Sequence, residues 1–310
     1  MREYSRWSME NKHSDSMASR KKIDRYTNWA VNTLLIVSVL YVSYYAIRVF
    51  ALASFKVPTE SMEPTIVPGD RLMVNKLAYG GRLFDLRKDS LVHGDIHRGL
   101  SISGPKRNDV VVFNMPYPDG WRMHIDFKKY FVKRCVALPG DTFVIERGRY
   151  RVRGVEEELG NVKAQKRLAK LTKERQRAES VGIAMLAFPY DTTLNWTIYD
   201  MGPLYLPKRG DVVEMTPQNF NNYVNVMRWE QSRQDIYMEE GVCHIGDSII
   251  THYQFDDNYY FMCGDKCESS NDSRYWGIVP EDFIVGRVDR VWWSTKNDGR
   301  VNWSRIWEAL

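Results

Sequence analysis

Cysteine is scarce in this 310-residue chain, and its spacing excludes the usual metal sites. The four cysteines, Cys135, Cys243, Cys263 and Cys267, include no CxxC pair. Structural zinc sites gather thiolates or imidazoles at short spacing, so we expect neither a metal nor another cofactor. A disulfide between Cys263 and Cys267 would need a tight turn, and the sequence leaves the pairing open. We expect at least two free, buried thiols.

Histidine is also scarce, and none of the six histidines lies in a recognisable catalytic motif. The G-x-S-x-G sequence that presents the serine of an α/β-hydrolase is missing. His93 and His97 have the spacing of two metal ligands on a helix, but Gly94-Asp95 between them predicts a loop. A serine hydrolase built on this chain therefore needs a base other than histidine.

The chain lacks nucleic-acid-binding motifs although it is basic, with a net charge of +5 and a pI near 8.9. No C2H2 spacing, RNP-like aromatic segment or basic helix-turn-helix pattern is present, so we expect no nucleic-acid partner. An anionic membrane surface is the better explanation of the charge. The 44% apolar content is typical of a folded protein, with one large domain or two modest ones.

One long apolar segment lies near the N-terminus. Residues 29–47 contain no charged residue, and with residues 49–55 the segment is long enough to cross a hydrocarbon core of about 30 Å. Several polar side chains within it leave a buried helix of a soluble domain as the alternative. Ala51-Leu52-Ala53 resembles a signal-peptide cleavage site, but the apolar stretch is long for a signal peptide, so we expect an uncleaved anchor.

Basic residues set the expected orientation of this anchor. Arg20, Lys21, Lys22 and Arg25 precede the apolar segment. By the positive-inside rule the tail lies in the cytoplasm, and the chain after about residue 50 lies on the other side of the membrane.

The rest of the chain has the pattern of a β protein. Gly-Asp pairs recur before short apolar runs, which is typical of turns that enter strands. The pairs are Gly69-Asp70, Gly94-Asp95, Gly140-Asp141, Gly210-Asp211, Gly246-Asp247 and Gly264-Asp265.

Two helices are predicted among these strands. Thr216-Pro217 offers an N-cap and a first-turn proline before apolar residues at helical spacing. Residues 163–177 are rich in lysine and arginine, and predict a solvated helix or, alternatively, a surface for anionic lipid.

Tryptophan is concentrated near the C-terminus, at Trp292-Trp293, Trp303 and Trp307. These residues fit a surface that enters the bilayer interface and a β core equally well.

The chemistry points to Ser61 and Lys133. Ser61 lies between Pro58 and Pro64, and Lys133 lies in the strand-like run Tyr130-Phe131-Val132-Lys133-Arg134. A serine hydroxyl needs a base, and a lysine can serve if burial in an apolar pocket lowers its pKa and leaves the amine neutral. An isolated strand lysine is usually solvated, so the prediction depends on the accompanying motifs.

Those motifs resemble the ordered boxes of type I signal peptidases, over most of the chain outside the N-terminal tail and the middle insertion. The boxes are Ser61-Met62-x-Pro64-Thr65, residues 69–76, residues 108–113, Lys133-Arg134-x-x-x-Leu138-Pro139-Gly140-Asp141, and Gly264-Asp265 through Asp272-Ser273-Arg274-x-x-Gly277-x-Val279-Pro280.

The resemblance implies a mainly β fold, in which an all-β catalytic core carries a small α/β insertion domain and follows one transmembrane helix. The corresponding parts are a cytoplasmic tail (1–26), an anchor (27–50), a first core segment (51–148), the insertion (149–250) and a last core segment (251–310).

The resemblance also assigns roles by position. Ser61 corresponds to the nucleophile and Lys133 to the general base, while the Ser61 backbone N–H and the Thr59 hydroxyl correspond to the oxyanion hole. Ser270 corresponds to the hydroxyl that orients the lysine, and Asp272 and Arg274 to a supporting ion pair.

The implied function is a membrane-bound serine endopeptidase that removes signal peptides from exported proteins after small-x-small sequences. Its partners would be signal-peptide-bearing preproteins and the lipid bilayer. Its location would be the bacterial inner membrane, as a single-pass protein with the catalytic domain on the periplasmic side.

The sequence departs from the family pattern at two places. Lys266-Cys267 stands where an asparagine usually follows Gly-Asp, and Asn108 replaces a glycine. The first change brings a charge and a thiol near Ser270. An inactive, precursor-binding subunit and a self-cleaving regulator are the alternatives, although the latter would carry a DNA-binding domain where this chain has its apolar segment.

Overall fold

The computed structural model describes residues 25–84, 91–120, 122–296 and 298–310. Most of the predicted cytoplasmic tail therefore lies outside the described residues. The contacts divide the chain into two units, Met1–Val49 and Phe50–Leu310.

The described part of the first unit is one helix, α1 (Arg25–Ala46), with a mean hydropathy of 1.4 over its most apolar window. It is long and apolar enough to cross a membrane, and none of that window is buried. A core helix of a soluble domain would bury one face, so the exposed apolar surface disfavours that alternative. A π-helical turn, Ile47–Ala51, follows.

The second unit is mainly β, as predicted. Its strands are β1 (Leu52–Lys56), β2 (Asp70–Asn75), β3 (Arg82–Leu83), β4 (His97–Arg98), β5 (Val110–Asn114), β6 (Tyr130–Ala137), β7 (Thr142–Glu146), β8 (Arg149–Val152), β9 (Met201–Tyr205), β10 (Val212–Glu214), β11 (Ile236–Glu239), β12 (Val242–Ile245), β13 (Ser248–Ile250), β14 (His252–Gln254), β15 (Tyr259–Cys263), β16 (Val279–Pro280), β17 (Ile284–Ser294) and β18 (Glu308–Ala309).

The main sheet is antiparallel and curled. Its strand order is β1-β2-β17-β5-β6-β15-β16, with β18 paired to β17. Register shifts along β17 mark bulges, which bend a strand and increase its twist. The curl brings together β1 and β6, which are distant in the strand order. This is shown by the Phe55 ring of β1 and the Tyr130 ring of β6, whose centres lie 4.9 Å apart.

Strand β5 separates two apolar clusters. Its residues are all buried, as expected for the continuous apolar run Val110-Val111-Val112-Phe113. Val110 and Val112 belong to the smaller cluster, whereas Val111 and Phe113 belong to the larger one. The alternation follows the two-residue period of a strand, so each face of the sheet has its own core.

Helices occur mainly between residues 149 and 250, and are α2 (Val162–Thr172), α3 (Arg175–Ser180) and α4 (Pro217–Glu230), with α5 (Ser273–Trp276) later in the chain. The Thr216 side chain caps α4 through the Asn219 N–H, as predicted. The basic segment forms two helices where one was expected, because the chain leaves the helical conformation at Glu174.

The predicted insertion boundaries stay a prediction. The small sheet of β7, β8 and β9 joins residues on both sides of position 149, and the β10–β14 pair joins residues on both sides of position 250.

The Gly-Asp pattern predicts most of its strands correctly. Gly69-Asp70, Gly140-Asp141, Gly210-Asp211 and Gly246-Asp247 each precede or begin a strand. Gly264-Asp265 was wrongly predicted, since it follows β15 and begins an irregular segment. Asn108 has the left-handed φ of 67° that its turn position requires, which explains how it replaces a glycine. All four cysteines are free and buried.

Candidate active site

Ser61 lies in a compact turn that follows β1. The Glu63 N–H donates to the Glu60 carbonyl at 2.9 Å, and the Ile66 N–H donates to the Met62 carbonyl at 3.0 Å. Met62 and Ile66 are fully buried in the smaller apolar cluster. These two buried side chains therefore anchor the turn, while Ser61 itself stays partly exposed.

Lys133 contacts Ser61 from a different part of the main sheet. It lies on β6, where it pairs with Val111 of β5, and only 3% of its surface is exposed. Its Nζ lies 2.6 Å from Ser61 Oγ and 5.3 Å from the centre of the Phe131 ring. The two residues that the sequence singled out, 72 positions apart, are thus in direct hydrogen-bond contact.

The surroundings of Lys133 favour a neutral amine. Burial lowers the pKa of Lys133 from 10.5 to about 8, and the nearby Arg274 guanidinium acts in the same direction. The Asp272 carboxylate raises this pKa and offsets part of the effect. A base with a pKa near working pH can accept a proton and later return it.

The two groups predicted to form the oxyanion hole lie at Ser61 and have free donors. Within the described residues, neither the Ser61 backbone N–H nor the Thr59 hydroxyl donates a hydrogen bond. Thr59 is exposed and lines the same cleft as Ser61. Both donors are therefore available to an oxygen placed in the cleft.

Ser270 lies next to the turn that carries Ser61, although it makes no hydrogen bond to Lys133. Its Oγ is buried and has no hydrogen-bond partner among the described residues. A Cβ added at Gly264 would overlap the Ser270 side chain and the Ser61 carbonyl oxygen, so these three residues are closely packed. The orienting role of Ser270 stays a prediction.

Asp272 and Arg274 form a fully buried ion pair. Arg274 Nε and Nη2 donate to the two Asp272 carboxylate oxygens at 2.8 and 2.9 Å. Burial would lower the pKa of Arg274, but the Asp272 carboxylate raises it well above its usual value. Burial likewise opposes ionisation of Asp272, yet the Arg274 charge holds the pKa of that carboxyl below its usual value.

This ion pair holds the segment that follows β15. Asp272 accepts a hydrogen bond from the Gly264 N–H at 2.9 Å, and Arg274 donates to the Cys267 carbonyl at 2.9 Å. The pair thereby fixes both ends of the segment that packs against Ser61.

A second ion pair, which the sequence did not predict, joins the Lys133 strand to the nucleophile turn. Arg134 donates to both Asp265 carboxylate oxygens, at 2.8 and 2.5 Å. The Thr65 hydroxyl donates to the same carboxylate at 2.5 Å. One buried carboxylate therefore connects the residue after Lys133 with the turn that carries Ser61.

Lys266, the departure from the family pattern, contacts both acidic neighbours of Ser61. Its Nζ lies 2.6 Å from Glu60 and 3.0 Å from Glu63. Its backbone N–H donates to the Ser61 carbonyl at 3.0 Å. The charge that this change brings near Ser270 is thus paired with two carboxylates of the turn that carries Ser61.

Thr59, Ser61 and Lys133 border a cleft of about 440 Å³. One wall is the segment 55–62, and the other is the beginning of β6. Among the described residues, positions 130–133 of β6 pair with β5 on one side and with no strand on the other, because β15 pairs with β6 only from Arg134 onward. The cleft therefore presents an unpaired strand edge beside Ser61 and Lys133.

His93 and His97 do not form a shared site. His93 instead lies in a cluster with two carboxylates. Its Nδ1 is 3.0 Å from an Asp282 carboxylate oxygen, and Asp257 lies close enough that the three could share one metal ion. Burial raises the pKa of Asp257 to about 7. No sequence pattern indicated this cluster, since its members are far apart in the chain. None of the three lines the cleft of Ser61.

Comparison with known proteins places these features in one family. The family model described as signal peptidase, peptidase S26, matches residues 27–293. A signal peptidase I from Pseudomonas aeruginosa is 30% identical over 273 residues, which covers 84% of this chain and 72% of that protein. A signal peptidase I from Aquifex aeolicus is 28% identical over 269 residues, covering 85% and 82%.

A solved structure of a signal peptidase I from Enterococcus faecalis V583 covers 61% of this chain and 99% of that chain, at 16% identity. Its TM-score of 0.27 is too low to support an argument about the fold.

Proposed function

The chain belongs to the S26 family of signal peptidases and is a serine hydrolase, and from this premise we propose that it removes N-terminal signal peptides from exported proteins with a Ser61–Lys133 dyad. The observation that carries the proposal is the 2.6 Å contact between Ser61 Oγ and a buried Lys133 amine. Signal-peptide-bearing preproteins are the substrates.

In the proposed acylation step, neutral Lys133 takes the Ser61 hydroxyl proton as Oγ attacks the scissile carbonyl carbon. The resulting ammonium then gives that proton to the leaving amine, and the C–N bond breaks. An ester between Ser61 and the signal peptide remains. In deacylation, Lys133 takes a proton from water as the water oxygen attacks the ester carbonyl carbon. The bond from that carbon to Ser61 Oγ then breaks, the Lys133 ammonium returns the proton to Oγ, and the signal peptide leaves with a free carboxyl group.

The oxyanion of each tetrahedral intermediate would be held by the Ser61 backbone N–H and the Thr59 hydroxyl. Their freedom from other hydrogen bonds supports this assignment. A single such donor contributes roughly 3 kcal/mol to transition-state stabilisation. Ser270, Asp272 and Arg274 support the site without touching the substrate.

The unpaired edge of β6 is suited to an extended substrate. A peptide strand added along residues 130–133 would form backbone hydrogen bonds and place alternate side chains in the cleft. Phe55, Tyr130 and Val132 pack against the smaller apolar cluster and line the cleft on the face that alternate substrate side chains would enter. In the proposal, these bulky side chains limit the size of the substrate residues on that face, so that cleavage follows small-x-small sequences.

Membrane attachment by α1 completes the proposal. Its exposed apolar surface supports a bilayer-spanning anchor, with the N-terminal tail in the cytoplasm and residues 51–310 on the periplasmic side of a bacterial inner membrane. Leu100, Ile102 and Trp303, each more than two-thirds exposed, offer further apolar contact with lipid.

The test is cleavage of a model preprotein in lipid vesicles by the wild type and by Ser61→Ala, with product ends read by mass spectrometry. We expect one cut after a small-x-small sequence, absent from the variant. Cleavage by Ser61→Ala would exclude the dyad, and a wild type that binds the preprotein without cutting it would indicate an inactive subunit.

A further inference from the structure

A second, larger cavity lies next to the catalytic cleft. Its volume is about 680 Å³, against about 440 Å³ for the cleft. Asn271 lines both cavities. The Phe131 ring of the cleft also stacks on Trp276 of the larger cavity, with ring centres 6.5 Å apart. Asn271 and the stacked Phe131 and Trp276 rings therefore form a border that the two spaces share.

The direction of side chains on β6 relates the two cavities to a bound substrate. Tyr130 and Val132 pack against the smaller apolar cluster, whereas Phe131 packs against the larger one beside Trp276. A strand added to the free edge of β6 has the same alternation. If two small residues face Val132, the residue between them faces Phe131, Asn271 and the larger cavity.

The lining of this cavity suits a large side chain with an apolar body and a polar end. Aromatic rings come from Tyr117, Phe188, Tyr190 and Trp276, and amide groups from Asn225 and Asn271. Phe188, Tyr190 and Asn225 belong to the middle region, 149–250, for which the sequence suggested no chemistry. That region thus builds one wall of a space beside the active site.

We propose that this cavity is a specificity subsite, which receives the side chain between the two small residues of the cleavage sequence and favours large amphipathic side chains such as tyrosine and glutamine. The inference rests on the proposed function and deepens it. The middle position of the small-x-small sequence is then selected by the enzyme instead of being free.

The experiment compares three preprotein-derived peptides that differ only in the middle residue, which is alanine, glutamine or tyrosine. For the wild type we expect kcat/KM to be about tenfold higher with tyrosine than with alanine. Thr192→Trp, at an exposed position on the cavity rim, should fill the space and reduce this ratio to about one. Gln218→Trp is the matched control, since Gln218 is exposed on α4 and lies outside the cavity, and it should keep the wild-type ratio.

A photo-crosslinking peptide with benzoylphenylalanine at the middle position gives a measurement that needs no variant. Crosslinks to residues 188–192 or to α4 support the subsite, and crosslinks confined to β1 overturn it. Equal rates for all three peptides, or a tyrosine preference that survives in folded Thr192→Trp, also overturn it. No cleavage of any peptide by the wild type would instead reject the proposed function, and this inference with it.

Discussion

Two buried basic side chains lie in the site, and their pKa values are shifted in opposite directions. Lys133 is 3% exposed and has a pKa lowered by burial to about 8. Arg274 is completely buried, yet its pKa is raised well above the usual value because both Asp272 oxygens accept its hydrogen bonds.

The contrast shows that burial alone does not decide the charge of a side chain. A cation without a bound carboxylate loses its proton more easily when buried, whereas a cation with a bidentate partner keeps it. In the proposed mechanism, the first arrangement serves the chemistry and the second holds the segment after β15. The following predictions test this division.

Replacing Lys133 by methionine should have the largest effect on activity. We expect preprotein cleavage to fall by at least about 10⁴-fold, because the base is lost. Lys133→Arg should fail as well, since a guanidinium stays protonated. Cleavage rates in detergent measure the effect. Ser61→Ala is the comparison variant, and it should lose a similar amount of activity.

Lys133→Met should be more stable than the wild type, although it is less active. The pKa falls from 10.5 to about 8 on folding, so the folded state at pH 7 bears a cost of about 3 kcal/mol that methionine removes. The unfolded chain binds more protons between pH 8 and 10.5, so this gain shrinks as pH rises through that range. Urea unfolding at pH 7 and pH 10 measures it; a destabilised Lys133→Met would refute the division between the two cations.

Asp272→Asn should convert Arg274 into a buried, unpaired charge. We expect the free energy of unfolding to fall by about 3–5 kcal/mol, because the desolvated guanidinium loses its counter-charge. The double variant Asp272→Leu/Arg274→Met should recover part of this loss. A single variant as stable as the wild type would mean that the ion pair does not hold the segment after β15.

Activity should depend on pH through Lys133. Only the neutral amine accepts the serine proton, so kcat/KM should rise about tenfold per pH unit up to about pH 8 and then level off. Cleavage of one peptide from pH 6 to pH 10 checks this. A flat profile below pH 8 would mean that Lys133 is not the titrating base.

The exposed ion pairs of Lys266 should matter least. Lys266→Ala should lower kcat by about two- to five-fold, because solvated pairs contribute little. Lys266→Arg should retain the wild-type rate, and added salt should reduce the difference between wild type and Lys266→Ala. A loss of a hundredfold or more would show that Lys266 takes part in the chemistry directly.

Local patterns predicted the parts of the fold that depend on neighbours in the chain. The Thr216-Pro217 signal gave the start of α4, and the apolar run of β5 gave a strand buried on both faces. The same kind of reasoning failed at Gly264-Asp265, because a turn sequence does not tell whether a strand begins or ends there.

Long-range contacts account for what the sequence could not provide. The family motifs placed Ser61 beside Lys133, but nothing local indicated that Asp265 would bind Arg134 and Thr65, which are 131 and 200 positions away. The sequence likewise showed Lys266 only as a departure from the family pattern, since its partners Glu60 and Glu63 come close to it only in the folded chain.

Strand β1 lies across a sequence that another copy of the enzyme could cleave. Ala51-Leu52-Ala53 has the form that the enzyme is proposed to cut, and the bond after Ala53 lies within β1, where Ala53 pairs with Val74 and Ser54 with Met73. A protease needs an extended segment free of such pairing, so a neighbouring copy could cut this bond only after β1 separates from β2. If the proposed specificity holds, the pairing of β1 with β2 protects the molecule from autolysis, and variants that loosen β1 should be cut after Ala53.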